Sequence, residues 1–352
     1  MRRDPWLLAP TETAAPPDRG RPATGRDTTA MPSTAHDVAE ATSAENAPRP
    51  WTVAVLGPGG VGGLLAALLS RRGHRVICLA GDATAQALRK DGIRVRSGQF
   101  GDFTAEVGAD TELREPVDLC VVAVKHTHLD AALDRVPPAV LGADGLVLPL
   151  LNGIEHPEAL RRRYGDDRVA AGVIRVESTR VAPGVIEHGS PFTEIDLAGT
   201  ASRPLTGLAA VLESAGVRTR LAESETAVLW AKLAFLAPFA LLTTRYGVTI
   251  GTVRTGHREE LLALVGEITA VGRAAGAPLD PDRTLAMYDA CPAGMKSSMQ
   301  RDAAAGRALE LEAIGGAVLR AAKRYGIAAP TAARLVSELT TPVTNSTSIS
   351  ES

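Results

Sequence analysis

After a polar N-terminal segment, the chain alternates short apolar runs with amphipathic segments. Runs of mostly β-branched and aliphatic residues stand at 53–56, 75–80 and 145–151, and each has the length of a strand. A fourth run, at 117–124, is apolar almost throughout, which is typical of a parallel strand buried on both faces. The segments between the runs, beginning with 60–71, have helical periodicity. This alternation predicts a Rossmann-type α/β fold with a doubly wound parallel sheet.

The pattern changes twice further along the chain. After residue 169 it predicts more strands, and from residue 224 apolar residues recur with the period of a helix, which predicts an all-α C-terminal part. The predicted buried stripe of helix 257–275 consists of Leu261, Leu262, Val265, Ile268 and Val271. We expect further strands at 93–96, 104–107, 170–176, 185–188, 193–197 and 217–221, and helices at 84–90, 130–135, 205–215, 226–244, 257–275, 309–325 and 330–339.

Composition divides the chain into four regions. Residues 1–50 are rich in Pro, Ala and Thr and contain few large apolar residues, so they cannot bury enough surface to offset their ordering entropy. The Ser/Thr-rich end at 341–352 also contains few large apolar residues. We therefore expect two disordered tails, with a dinucleotide-binding domain over 51–222 and a helical substrate domain over 223–340 between them.

A glycine-rich loop follows the first predicted strand. The pattern G-x-G-x-x-G between a strand and a helix is the fingerprint of dinucleotide binding. The first glycine permits a tight turn, the second lets a pyrophosphate approach the backbone, and the third lets the helix pack on the strand. The alternative is a structural glycine turn in an unrelated α/β domain. The candidate cofactor-binding residues of this loop are Gly57, Pro58, Gly59, Gly60, Val61 and Gly62.

Charge and cysteine content limit the partners and the compartment. The 352 residues carry a formal net charge of -2, so we expect neither nucleic acid nor a membrane as a partner. The most apolar stretch, 227–242, contains Lys232 and Pro238, which favours a buried helix over a membrane span. The three cysteines are scattered, so we predict buried reduced thiols in a cytoplasmic protein, without a disulfide or a metal site.

Polar side chains follow two of the predicted strands. Lys125 comes directly after the run at 117–124, and Asn152 comes directly after the strand at 145–151. The carboxyl ends of parallel strands lie at the edge of the sheet where ligands bind, so we predict that both residues face the cofactor or the substrate. The alternatives are a solvated strand end for Lys125 and a plain turn for Asn152.

Lys232 is the strongest candidate for catalysis. It stands inside an apolar helix, where burial disfavours its charged form and brings its pKa towards the range of a general acid. The alternative is a lysine that extends from the helix flank to solvent. Ser298 and Glu310 are further candidates, for binding a carboxylate and for approaching the core. Their alternatives are a helix cap and a solvated helix face.

A set of motifs in a fixed order connects these candidates. Their types and spacing resemble the ketopantoate reductase family, the 2-dehydropantoate 2-reductases, over residues 52–339. The shared motifs are the glycine loop, Lys125, Asn152-Gly153, Trp230-x-Lys232-Leu233, Ser297-Ser298-Met299, Glu310 and Gly326-Ile327-x-x-Pro330.

The resemblance implies an enzyme that uses NADPH to reduce ketopantoate, a small 2-oxo acid, to pantoate in pantothenate biosynthesis. It implies that Lys232 is the general acid, that Glu310 positions or charge-balances it, and that Ser298 holds the carboxylate end of the substrate. Asn152 and Lys125 would lie near the nicotinamide. The helical domains of such reductases sometimes dimerise, so a homodimer is compatible with the resemblance.

Two positions of the predicted substrate-binding wall depart from the family. The family usually places asparagines four and eight residues after the catalytic lysine, where this chain has Leu236 and Ala240. These positions share a helix face with Lys232, so two hydrogen-bonding groups are lost and the substrate could be another small 2-oxo acid. A third hypothesis is a non-catalytic NAD(P)-binding sensor, although a sensor has no need of Lys232 and Glu310.

The end of the second predicted strand also departs from the family. NADPH-preferring members often carry an arginine there for the 2′-phosphate, whereas this chain continues into Asp82. Asp82 could accept hydrogen bonds from the ribose hydroxyls of NADH, or it could cap the following helix. We therefore expect NADPH from the resemblance, with NADH as the alternative.

Overall fold

The computed structural model describes residues 49–142, 144–199 and 205–340. Both predicted tails lie outside these ranges, apart from Arg49 and Pro50. The described residues form twelve strands and twelve α-helices. The strands are β1 (Thr52–Leu56), β2 (Arg75–Leu79), β3 (Ile93–Ser97), β4 (Phe103–Ala105), β5 (Gly108–Asp110), β6 (Leu119–Val122), β7 (Leu146–Pro149), β8 (Ala171–Arg175), β9 (Ser178–Ala182), β10 (Val185–His188), β11 (Glu194–Ala198) and β12 (Arg218–Leu221). The helices are α1 (Gly60–Arg71), α2 (Asp82–Asp91), α3 (Leu129–Leu133), α4 (His156–Tyr164), α5 (Leu205–Ser214), α6 (Glu225–Tyr246), α7 (Ile250–Gly256), α8 (Arg258–Ala274), α9 (Pro281–Ala290), α10 (Ser298–Ala304), α11 (Ala317–Tyr325) and α12 (Pro330–Thr340).

A five-stranded parallel sheet lies at the centre of the α/β part, in the order β5-β2-β1-β6-β7. Strand β1 sends alternate side chains to opposite faces, because successive residues of a strand point in opposite directions. Val53 and Val55 enter one apolar core, whereas Ala54 and Leu56 enter the other. The four apolar runs of the sequence are β1, β2, β6 and β7, and the predicted Rossmann-type fold is confirmed.

Two smaller sheets flank the central one, in the orders β4-β3-β10-β9 and β12-β11-β8. The first covers α1, with Ile93 and Ile186 in the same apolar core as the helix. Strand β9 was not predicted, because four of its five residues are exposed and its sequence lacks apolar alternation. In the second sheet the buried carboxylate of Asp196 accepts hydrogen bonds from Arg175 and Arg220.

Helix α6 is the core of the helical part. Of the helices that the structure describes, this 22-residue helix alone is long and apolar enough to cross a membrane by length and composition. In its most apolar window 72% of the residues are buried, and α8, α10 and α12 pack against it. The predicted buried helix is therefore confirmed. Pro238 lies inside α6 and removes one N–H group from its hydrogen-bond ladder.

The helical part also corrects several predictions. Leu262, predicted in the buried stripe of α8, is 43% exposed, and Leu264 is buried in its place. The predicted helix 309–325 begins at Leu311 and passes through a π-helical turn, Glu312–Gly316, before α11. The helices α4, α7, α9 and α10 were not predicted.

Tyr288 connects α9 to α6 close to Pro238. Its buried ring packs on Phe235 with centroids 4.7 Å apart, and its hydroxyl donates a hydrogen bond of 2.5 Å to the Phe235 carbonyl oxygen. Because Tyr288→Phe removes this buried bond, we expect the free energy of unfolding, measured by urea denaturation, to fall by about 1–2 kcal/mol. Tyr325→Phe is the matched control, since Tyr325 is exposed. Equal losses in the two variants would contradict this role of Tyr288.

Candidate active site

The glycine loop between β1 and α1 has the geometry of a ligand cradle. Gly57 has a φ of +88°, a left-handed conformation that glycine adopts without strain. A Cβ atom on Gly62 would collide with the Gly57 carbonyl oxygen, so this glycine lets α1 pack on the loop. A Cβ atom on Gly59 would meet no atom within 4 Å, so the backbone there is open to an approaching group. Because the loop leads into the N-terminus of α1, the residues present fit a dinucleotide phosphate.

Strand β9 holds this loop in place. The Ser178 hydroxyl donates a hydrogen bond of 2.8 Å to the Gly60 carbonyl oxygen. A Cβ atom on Gly60 would collide with the Ser178 carbonyl oxygen, so the two backbones are in direct contact. Pro58 is buried, and Val61 packs partly buried against the apolar core. These two side chains position the loop and leave its peptide groups available to a ligand.

Glu310 connects the helical part to the carboxyl edge of the central sheet. Its side chain is buried, and its two oxygens accept hydrogen bonds of 3.0 Å from the His126 backbone N–H and from the Asn152 side-chain amide. His126 stands shortly after β6, and Asn152 stands shortly after β7. One carboxylate therefore fixes the loops that follow two neighbouring central strands. The alternative of a solvated helix face is therefore wrong for Glu310.

The backbone around Glu310 is also closely packed. Gly153 has a φ of +93°, and a Cβ atom there would collide with the Ala313 carbonyl oxygen. The Ala313 carbonyl belongs to the π-helical turn Glu312–Gly316, a wider turn that occurs frequently at functional sites. The Asn152-Gly153 turn thus lies directly on the segment that carries Glu310.

Lys232 lies on α6 with its side chain partly buried. Burial lowers its pKa to about 8, the Glu310 carboxylate opposes this shift, and the Arg175 guanidinium adds to it. Lys232 forms no hydrogen bond to another residue that the structure describes. The donors of its ammonium therefore remain available to a ligand.

Lys125 forms an ion pair with Asp302 of the helical part. Its ammonium donates to both oxygens of Asp302 at 2.6 Å, and Arg307 donates to the same carboxylate at 2.9 Å. Asp302 is buried, whereas the Lys125 side chain is 40% exposed. The alternative of a simply solvated strand end is therefore wrong for Lys125.

The two serines at the start of α10 have different environments. Ser297 is the N-cap: its hydroxyl accepts from the Gln300 N–H at 3.0 Å and lies 2.8 Å from the Thr243 hydroxyl. Ser298 is the first residue of the helix and is exposed. The capping alternative therefore applies to Ser297, and the Ser298 hydroxyl remains available for a ligand.

The positions that depart from the family motifs are also resolved. Leu236 is partly exposed one turn beyond Lys232, whereas Ala240 is buried. Asp82 is the exposed first residue of α2, and Gly81 is its N-cap, with no side-chain capping bond. The alternative of Asp82 as a helix cap is therefore wrong.

The fold and the site together define a Rossmann-type oxidoreductase. Residues 53–198 match the family model described as Ketopantoate reductase PanE/ApbA, and residues 226–342 match the model of its C-terminal part. The chain belongs to the ketopantoate reductase family.

Individual relatives agree with this membership. The 2-dehydropantoate 2-reductase of Caulobacter vibrioides is 31% identical over 295 residues, which cover 82% of this chain and 98% of that protein. The crystal structure of the 2-dehydropantoate 2-reductase from Geobacter metallireducens has a TM-score of 0.75 at 29% identity and covers 82% of this chain and 99% of that one. D-mandelate dehydrogenase with NADH and anilino(oxo)acetate has a TM-score of 0.76 at 21% identity over 82% and 97% of the two chains, a likeness of fold alone. The protein is an oxidoreductase of the 2-dehydropantoate 2-reductase type, from a family that acts on a small keto acid with NAD(P)H.

Several contacts of the site leave little trace in the sequence. Ser178 and Gly60 are 118 residues apart, and Asp302 and Lys125 are 177 residues apart, so no local spacing connects them. Asp302 has one local signal, because it lies four residues after Ser298 and shares a helix face with it.

Gly59 and Gly60 offer a test of the loop. We expect Gly59→Val to abolish cofactor binding in a fluorescence titration while leaving the melting temperature unchanged, because its side chain would enter the open approach to the backbone. Gly60→Ala should lower both quantities, because its Cβ collides with β9. A Gly59→Val protein that binds the cofactor normally would contradict the assignment of this loop.

Proposed function

We propose that the protein catalyses the NAD(P)H-dependent reduction of a small 2-oxo acid to a 2-hydroxy acid, with ketopantoate as substrate and pantoate as product. The observation that carries this proposal is Lys232 of α6, partly buried and without a hydrogen-bond partner among the described residues. Burial lowers its pKa to about 8, and the Glu310 carboxylate opposes this shift. The same sheet edge carries the glycine loop that fits a dinucleotide. A cofactor site and a tuned proton donor are the two requirements for reducing a carbonyl group.

Lys232 is the proton donor in this mechanism. The nicotinamide, when bound, supplies a hydride to the carbonyl carbon. The Lys232 ammonium donates a proton to the carbonyl oxygen and is left as the neutral amine. Because its pKa is about 8, the ammonium is the main form at neutral pH and still gives up its proton readily.

The neighbouring residues orient the reactants. Glu310 stabilises the Lys232 ammonium and fixes the Asn152 amide, which we assign to the vicinity of the nicotinamide. Lys125, held by Asp302 at the same sheet edge, is assigned to the cofactor as well. Ser298, with an exposed hydroxyl, is assigned to the substrate carboxylate.

A second candidate substrate is a 2-oxo acid without a hydroxyl group. Leu236 favours it, because this apolar, partly exposed side chain lies one helical turn from Lys232, where a hydroxyl would need a hydrogen-bonding partner. Ala240, the second departure from the family, is buried.

Ketopantoate and trimethylpyruvate, which has the same carbon skeleton without the hydroxyl, form a matched pair for the test. Cofactor oxidation, followed by absorbance, should be faster with ketopantoate if the proposed substrate is correct. Faster turnover of trimethylpyruvate would favour the second candidate. Tight cofactor binding with no turnover of any 2-oxo acid would contradict both and favour the sensor hypothesis.

Lys232→Met should lower kcat by about a hundredfold or more, because it removes the general acid. Nucleotide affinity, measured by titration, should stay within about twofold, because the glycine loop is untouched. In the wild-type protein kcat/KM should fall as the pH rises through about 8, since only the ammonium donates a proton. A Lys232→Met enzyme with wild-type kcat would contradict the assignment.

The cofactor preference is the second part of the proposal. The family resemblance implies NADPH, but the strand end favours NADH. Asp82 is exposed and has no partner within the described ranges, and Asp110 ends the neighbouring strand β5. The two arginines at this strand end are already bonded to other groups. Arg114 donates to Asp110, and Arg135 donates to the Ala80 and Thr111 carbonyl oxygens. The Asp82 carboxylate follows β2, where this type of fold binds the ribose, and would repel a 2′-phosphate there, so we propose that NADH is preferred.

Asp82→Ala tests this preference. We expect the variant to raise KM for NADH several-fold and to leave or lower KM for NADPH, because it removes an acceptor for the ribose hydroxyls and a charge near the 2′ position. Asp91→Ala, at the exposed opposite end of the same helix, is the matched control. An Asp82→Ala enzyme with an unaltered ratio of kcat/KM for the two cofactors would contradict the proposal.

A further inference from the structure

The hydroxyl groups of Thr243 and Ser297 form a buried contact between two helices of the candidate site, and no role is yet assigned to it. Thr243 belongs to α6, the helix that carries Lys232, and Ser297 is the N-cap of α10. The two hydroxyl oxygens are 2.8 Å apart, and the residues are 0% and 1% exposed. A hydrogen bond shielded from water in this way is stronger than an exposed one, so it ties the start of α10 to α6.

The direction of this hydrogen bond follows from the other bonds of the two hydroxyls. Each hydroxyl has one hydrogen to donate. Thr243 donates its hydrogen to the Phe239 carbonyl oxygen at 2.6 Å, so Ser297 is the donor in the contact between the two hydroxyls. The Ser297 oxygen in turn accepts from the Gln300 N–H at 3.0 Å. A continuous chain of hydrogen bonds therefore runs from the first turn of α10 to the backbone of α6, and every hydrogen in it has an acceptor.

Ser298 is the exposed residue within this fixed segment. Its neighbours Ser297, Met299 and Gln300 are buried. The side-chain amide of Gln300 donates a hydrogen bond of 3.1 Å to the Val248 carbonyl oxygen, just beyond the C-terminal end of α6. Two side-chain contacts, one from each side of Ser298 in the sequence, therefore hold the first turn of α10 against the end of α6.

Thr243 and Lys232 lie on the same face of α6. They are eleven residues apart, which is close to three turns of 3.6 residues. Both belong to one helix, and groups carried by a helix are held more precisely than groups carried by a loop. A residue attached to α6 through Thr243 therefore keeps a set position relative to Lys232.

We propose that Thr243 and Ser297 are positioning residues: their hydrogen bond holds Ser298 at a fixed distance from Lys232, so that a substrate carboxylate bound to Ser298 places the adjacent carbonyl oxygen at the proton donor. This inference rests on the proposed roles of Ser298 and Lys232. In a 2-oxo acid the carbonyl carbon is bonded directly to the carboxylate carbon, so the carboxylate site determines where the carbonyl oxygen lies. A misplacement of about 1 Å at such a site can lower the rate by about a hundredfold.

Thr243→Val tests this role, because it removes one hydroxyl at nearly constant shape and leaves the Ser297 cap of α10 in place. We expect kcat/KM for the 2-oxo acid to fall about fivefold or more, with KM for the cofactor unchanged. Thr243→Ser keeps the hydroxyl and should recover most of this loss. Thr269→Val is the matched control, since Thr269 is 1% exposed and its hydroxyl has no partner among the described residues. Equal losses in the two valine variants would overturn the proposal.

A double-mutant cycle with Ser298→Ala separates positioning from packing. If the hydroxyl pair acts through Ser298, adding Thr243→Val to Ser298→Ala should lower kcat/KM by less than about twofold further. If Thr243 acts only through packing, the two losses should multiply, because independent sites contribute additive free energies. Multiplied losses would therefore overturn the proposal.

A binding measurement needs no turnover. Oxamate has the carboxylate and the adjacent carbonyl of a 2-oxo acid, but its carbonyl is an amide and resists reduction. We expect Thr243→Val to raise the Kd of oxamate about fivefold, measured by isothermal titration calorimetry with saturating NADH, and Thr269→Val to leave it unchanged. An unaltered Kd in Thr243→Val would overturn the proposal. If oxamate binds but no 2-oxo acid is reduced, the proposed function fails, and this comparison still decides the role of the hydroxyl pair.

Discussion

Glu310 is a buried carboxylate whose two oxygens hold the loops at the ends of two central strands. It accepts from the His126 backbone and from the Asn152 amide, and each hydrogen bond to a charged acceptor contributes about 1.5–3 kcal/mol. A buried carboxylate is expensive without such partners, so the helical part and the sheet edge are held in one arrangement. The position of Lys232 relative to the glycine loop follows from that arrangement.

A second buried carboxylate reinforces the same connection. Asp302 accepts hydrogen bonds from the Lys125 ammonium at the sheet edge and from the Arg307 guanidinium of the helical part. Because Asp302 is nearly inaccessible, losing either cation would leave a charge poorly compensated in a buried place. Lys125 is therefore a structural partner of the helical part as well as a candidate for cofactor binding. Two buried carboxylates, Glu310 and Asp302, thus connect the helical part to the carboxyl edge of the sheet.

The parts of the structure that local pattern determines were predictable. Apart from Thr52 and the exposed Arg75 at their starts, the strands β1, β2, β6 and β7 are apolar because they are buried on both faces. The glycine loop has a fixed relation to the strand and helix around it. Strand β9 was not predicted because it is an exposed edge strand. The π-helical turn before α11 was not predicted because no residue pattern marks it. The candidate site residues came from motifs in the sequence, whereas the contacts between them appear only in the structure. Glu310 and His126 are 184 residues apart, and only the folded chain shows that they meet.

The long stretch of chain between Glu310 and its partners His126 and Asn152 has a consequence for protein synthesis. The glycine loop, β6 and β7 leave the ribosome long before residue 310, so the sheet can assemble while its carboxyl edge still lacks the carboxylate that fixes His126 and Asn152. A nascent chain at that stage holds the elements of the central sheet but lacks the carboxylate that orders the loops at its carboxyl edge. The candidate site is therefore completed late, by the segment that carries Glu310, and a chain that stops before this segment lacks both of these contacts.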